Sequence, residues 1–100
     1  MFHIIVHLQL KNIKDKEFVA DCLKQVSAVT LKEEPSCRKL DVFESESDPL
    51  TFFLCEEWDH KKDWIDHREK RAFREIYSSQ VLPLVERTPH ISIRLNQLSN

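Results

Sequence analysis

Along the first ten residues Phe2, Ile4, Val6, Leu8 and Leu10 alternate with His3, Ile5, His7 and Gln9. A period of two predicts a strand with one strongly apolar face. Lys11 to Lys14 breaks the pattern, and Asp15 is placed to cap a helix. Phe18, Val19, Cys22, Leu23, Val26 and Val29 then recur at three- and four-residue spacing, so one stripe of a helix faces a core. Pro35-Ser36 closes that unit. A second strand is expected from Cys37 to Glu44, with Leu40 and Val42 on one face and Phe43 on the other. Ser45 to Pro49 is a turn between two strand-like runs, which makes a hairpin with a third strand from Thr51 to Trp58.

The run Phe52-Phe53-Leu54-Cys55 is apolar on both faces, as in a strand covered on both sides. Asp59 is expected to cap a second helical region carrying Trp64, Ile65, Phe73, Ile76, Tyr77, Val81, Leu82, Leu84 and Val85, with Pro83 near its end. Ile91, Ile93 and Leu95, alternating with Ser92, Arg94 and Asn96, predict the last strand. The order β-α-β-β-α-β describes an α+β ferredoxin-like unit. Helices cover one face of such a sheet. Because strands two and three are greasy on both faces, a second copy of the chain is expected to cover the other, giving a homodimer.

Composition narrows the possibilities. One hundred residues suit a single domain spanning 1–100. A net charge of −2, with fifteen basic residues spread along the chain, leaves no footprint for nucleic acid. No apolar run approaches the roughly 20 residues that span a bilayer, and the N-terminus lacks the pattern of a signal peptide. Cys22, Cys37 and Cys55 lack C-x-x-C spacing and read as thiols in a reducing cytoplasm. The chain contains no glycine, so Asn, Asp, Ser and Pro must make the turns. Glycine-rich phosphate loops and dinucleotide fingerprints are thereby excluded.

Glu34-Pro35-Ser36-Cys37, Leu40-Asp41-Val42, Phe53-Leu54-Cys55-Glu56-Glu57-Trp58 and Trp64-Ile65-Asp66-His67 follow one another in order. In these pieces, and over nearly its whole length, the chain resembles the antibiotic biosynthesis monooxygenase family, whose pattern is E-P-G-C, Y-D-V, F-x-x-x-E-x-W and A-x-x-x-H. The resemblance implies a dimeric α+β barrel with a pocket between sheet and helices. It also implies a choice among cofactor-independent oxygenation of quinols and phenols, haem degradation, and isomerisation of a phosphorylated sugar. Fold alone does not choose. Three positions depart from the pattern: Ser36 replaces a Gly, Leu40 a Tyr, and Ala72 a second His. Where the haem-degrading branch has Asn, Trp and an iron-ligating His, this chain has His7, His67 and Tyr77, which argues against haem cleavage.

His7 matches a pocket position of the family, although on residues alone it is equally a polar strand-face histidine. His67 matches the recurrent family histidine, although Asp66, Arg68 and Glu69 around it also suit a helix surface. Either is suited to act as a base near neutral pH. Glu57 is the carboxylate beside Trp58, placed to bind substrate or to pair with Arg38 or Arg94. Trp58, Trp64 and Tyr77 are candidate substrate-binding aromatics, although the two tryptophans read first as core anchors. His3 and His7 lie about 13 Å apart along a strand, and His60 and His67 about 10 Å apart along a helix, so neither pair chelates one metal. The expected activity is a cofactor-free monooxygenase that passes electrons from an electron-rich aromatic or quinol to O2. A cofactor-free isomerase and a non-catalytic dimeric binding module are the alternatives.

Overall fold

The computed structural model describes residues 1–96. Four strands form one antiparallel sheet: β1 (Phe2–Leu10), β2 (Cys37–Glu44), β3 (Thr51–Trp58) and β4 (Val85–Ser92), in the order β2-β3-β1-β4. A helix, α1 (Lys16–Glu33), links β1 to β2. A broken helical layer links β3 to β4. This is the α+β ferredoxin-like arrangement, built as the alternation and the helical stripe predict.

Register fixes what each face carries. Opposite one another on the inner face stand Ile4 and Glu56, Val6 and Leu54, Leu8 and Phe52, with Leu40 and Val42 continuing the row on β2. On the outer face His3 stands opposite Glu57, Ile5 opposite Cys55, and His7 opposite Phe53. Side chains alternate strictly along a strand, so the two sets cannot mix. α1 turns Val19, Cys22, Leu23 and Val26 onto the inner face and leaves Phe18 half exposed. Fully burying a side chain of this kind stabilises the fold by about 1.5–3 kcal/mol.

The second helical layer differs from the regular helix expected from its apolar spacing. It consists of a short α2 (Lys61–Asp66), a 3-10 turn (His67–Glu69), a π-helical stretch (Ala72–Val81) and a second 3-10 turn holding Pro83 (Leu82–Leu84). The Leu82 N–H donates to the carbonyl of Tyr77, five residues back, which is the π pattern. Asp59 does not cap α2. The helix starts after His60, whose N–H is accepted by Asp63 Oδ2 at 3.1 Å, while Asp59 accepts two hydrogen bonds from Arg38. No helix among the described residues is long and apolar enough to cross a membrane.

The last strand lies earlier than the apolar alternation indicates. β4 runs from Val85 to Ser92, not from Ile91 to Asn96. It is an edge strand paired only with β1, so exposed polar residues and even Pro89 are tolerated there. Ile93 and Leu95 continue beyond the sheet and are 85% and 97% exposed, so their alternation reports no packing within this chain.

A buried candidate active site between sheet and helices

Glu34 ends α1, and its N–H donates to the carbonyl of Thr30. The following Pro35 excludes helical geometry at Glu34 and holds it extended. His67 opens the 3-10 turn after α2. The packing of α1 against the second helical layer brings these residues together across 33 positions of sequence. His67 Nδ1 lies 2.7 Å from Glu34 Oε1 and 2.9 Å from Oε2, and both residues are buried. With both oxygens of the Glu34 carboxylate facing it, Nδ1 carries the proton and donates. Nε2 is then the lone-pair nitrogen, and both hydrogen bonds of the ring are made at Nδ1.

The His67 ring is held on two further sides. The Trp58 ring centre is 4.9 Å away, and Phe73 meets it edge-on at 5.6 Å. Trp58 is wholly buried and its Nε1–H donates to Glu56 Oε1 at 3.0 Å. Glu56 is an inner-face carboxyl. Burial pushes it above the ordinary carboxylate range, against the smaller opposing pull of the Trp58 hydrogen bond and of His67 and Arg87. Across the cavity, Arg87 of β4 donates from Nε to Tyr77 Oη at 3.2 Å. Burial pushes the Tyr77 phenol up to about 12, so it is neutral and able to donate.

Glu56, His67, Tyr77 and Arg87, together with Trp64, Phe73, Leu54 and Leu40, line a cavity of about 10 Å³, room for about one water molecule. His67, Trp64 and Tyr77, singled out from the sequence, therefore share one cavity, with Trp58 packed behind His67. His7 and Glu57 do not join them. His7 packs edge-on against Phe53 on the outer face at 5.5 Å. Glu57 lies between His3 (3.5 Å) and Arg94 (3.6 Å) on that same face.

A larger groove of about 320 Å³ opens on the outer face near Ile5, Cys55, Glu57 and Arg94. Its charges are partly exposed and screened by solvent, whereas the small cavity brings together a buried base, a neutral phenol and a carboxyl pushed upward by burial, beside the half-buried Arg87. The chemistry belongs to the cavity. Glu34, Glu56 and Arg87 escaped the sequence reading. The first two stood inside the quoted motifs without a role, and Arg87 lay in a strand placed too late.

A ferredoxin-like sheet with a buried titratable cluster beneath an irregular helical layer defines a class of small α+β proteins with a site between sheet and helices. Within that class, the family model for antibiotic biosynthesis monooxygenases matches residues 1–78, and the chain belongs to this family. Among solved structures it is similar to a conserved protein of unknown function from Bacteroides thetaiotaomicron, described as a possible oxidoreductase. That match has 25% identity and a TM-score of 0.81, covering 89% of this chain and 92% of that one. A candidate antibiotic biosynthesis monooxygenase from Nitrosomonas europaea superimposes with a TM-score of 0.84 at 22% identity, covering 96% of this chain and all of that one. Rv0793 from Mycobacterium tuberculosis superimposes with a TM-score of 0.78 at 19% identity, covering 99% and 100%. No curated protein matched the chain.

Proposed function

We propose that the chain is a cofactor-independent monooxygenase that oxidises a small electron-rich aromatic or quinol with O2. The observation that carries this reading is a histidine fixed by a buried carboxylate while its ring lines a small, polar-edged cavity. His67 Nε2 takes a proton from the substrate and leaves an anion. Arg87 and Tyr77 supply donors for the charged oxygen. In a water-poor site such donors act more strongly than in solution. The anion passes one electron to O2, the radical pair joins as a hydroperoxide, and loss of water leaves a carbonyl. One oxygen atom ends in product and the other in water, so substrate supplies all the electrons.

A ring is larger than the resting cavity, so entry requires Trp64 and Phe73 to swing outward. The layer is broken there into the six-residue α2, a three-residue 3-10 turn and a π-helical stretch, and such interrupted segments open more readily than one regular helix.

The chain acts as a homodimer in this reading, the partner covering the outer face. Ile5 (43% exposed), Phe43 (52%) and half-buried Phe53 and Cys55 form an apolar stripe there that water would otherwise meet.

Oxygen uptake measured with a panel of quinols and phenols tests the proposal. His67→Ala is expected to lower uptake at least 100-fold, the usual scale for a lost general base. His7→Ala is expected to leave it within threefold. Uptake that survives His67→Ala removes the base assignment. Turnover of a phosphorylated sugar without oxygen uptake would instead establish an isomerase using the same base.

A further inference from the structure

Two voids lie on either side of the Glu34–His67 hydrogen bond, and no residue lines both. His67 lines the inner cavity with Glu56, Tyr77 and Arg87. Glu34 lines an outer groove of about 260 Å³ with Ser36, Asp63, Asp66 and Lys70, between the end of α1 and α2. Each of the two side chains keeps only 7% of its surface accessible. The bond between them is therefore a polar bridge through an otherwise apolar wall made by Trp58 and Phe73.

We propose that Glu34 is a proton relay, carrying protons between His67 in the cavity and water in the acidic groove. The idea deepens the general-base reading of His67 and rests on it for its catalytic use, although proton passage itself needs no substrate. In the outward half, Nε2 accepts the substrate proton, and the Nδ1 proton moves to the Glu34 carboxylate and then to groove water. His67 is left neutral with its proton on Nε2. In the return half, Glu34 takes a proton from the groove and passes it to Nδ1, while Nε2–H is donated to the departing oxygen. The original tautomer is restored and no proton is gained or lost over the cycle.

Such a bridge answers a need created by the cavity. A void with room for about one water offers little solvent to receive a proton. Glu34, hydrogen-bonded to the base, is a positioning residue that also supplies this exit. A purely structural Glu34 would hold the ring equally well as an amide, and that difference makes the role testable.

The test follows the His67 Nδ1 proton of the full-length protein by 15N-edited NMR, measuring its exchange with water in wild type, Glu34→Gln and Glu34→Ala. Wild type is expected to show the Nδ1–H tautomer. In Glu34→Gln exchange should slow at least tenfold, since an amide oxygen accepts the hydrogen bond but does not pass a proton on. In Glu34→Ala, formate should restore fast exchange in proportion to its concentration. Unchanged exchange in Glu34→Gln, or no response of Glu34→Ala to formate, overturns the relay. Because the readout needs no turnover, a functioning relay in a protein that consumes no oxygen would sink only the monooxygenase reading. The reverse pattern would sink only the relay.

Discussion

Each face of the sheet has a carboxylate and a histidine close by, and the two settings do opposite things. Inside are a wholly buried Trp58, a carboxyl shifted by burial and, packed down from the helical layer, a hydrogen-bonded histidine. Outside, one residue away along the same strands, His3, His7, Cys55 and Glu57 remain partly solvated, and their ion pairs are long. Strand alternation sorts the residues, and the helical layer then decides which set becomes chemical. A histidine or carboxylate gains unusual properties from what covers it, so residue type alone is a poor guide to a site.

The contrast is sharpest in stability. Trp58→Ala removes a fully buried ring and leaves Glu56 without its donor, and is expected to cost about 3–5 kcal/mol in chemical denaturation. A loss below about 1 kcal/mol would mean that the inner layer is loosely packed. On the outer face Ile5→Lys combined with Phe53→Lys should barely alter the monomer but weaken self-association at least tenfold, read by sedimentation velocity. If the wild-type chain is already monomeric at micromolar concentration, the outer face needs another explanation.

A finer distinction comes from pH. Burial raises the Glu56 carboxyl above its ordinary value of 4.5, so as pH rises past that value the unfolded chain ionises first. Wild type therefore loses stability relative to Glu56→Gln from about pH 4.5 upward, until the folded carboxyl also ionises. Urea titrations of both proteins between pH 4 and pH 8 measure the difference. A gap that stays constant with pH would show that the Glu56 carboxyl titrates alike in the folded and unfolded chain, against the upward shift by burial. Smallest of all, Phe43→Ser on the exposed end of β2 should stay within about 0.5 kcal/mol for the monomer.

The sequence was most legible where a residue's fate depends on its neighbours in the chain. β1, α1, β2 and β3 follow from alternation, helical spacing and turn chemistry. β4 did not, because an edge strand paired on one side only keeps exposed polar residues and lacks the alternation that marks its neighbours. The same limit shaped the site. β3 is apolar on both faces, so its pattern does not reveal which of Glu56 and Glu57 points inward. The company of Leu54 and Trp58 on the inner register settles it in favour of Glu56. Glu34 is buried only because α1 meets a turn 33 residues further on, a contact that local spacing does not encode.

The missing glycine has a consequence of its own. Among the described residues every peptide is trans and none has a positive φ, so no connection relies on the one side chain able to reach left-handed backbone without strain. Loop segments in this scaffold can then be exchanged for many other compositions without a handedness penalty. The rim of the cavity and the lip of the acidic groove are correspondingly open to divergence, while the β-α-β-β-α-β frame stays put.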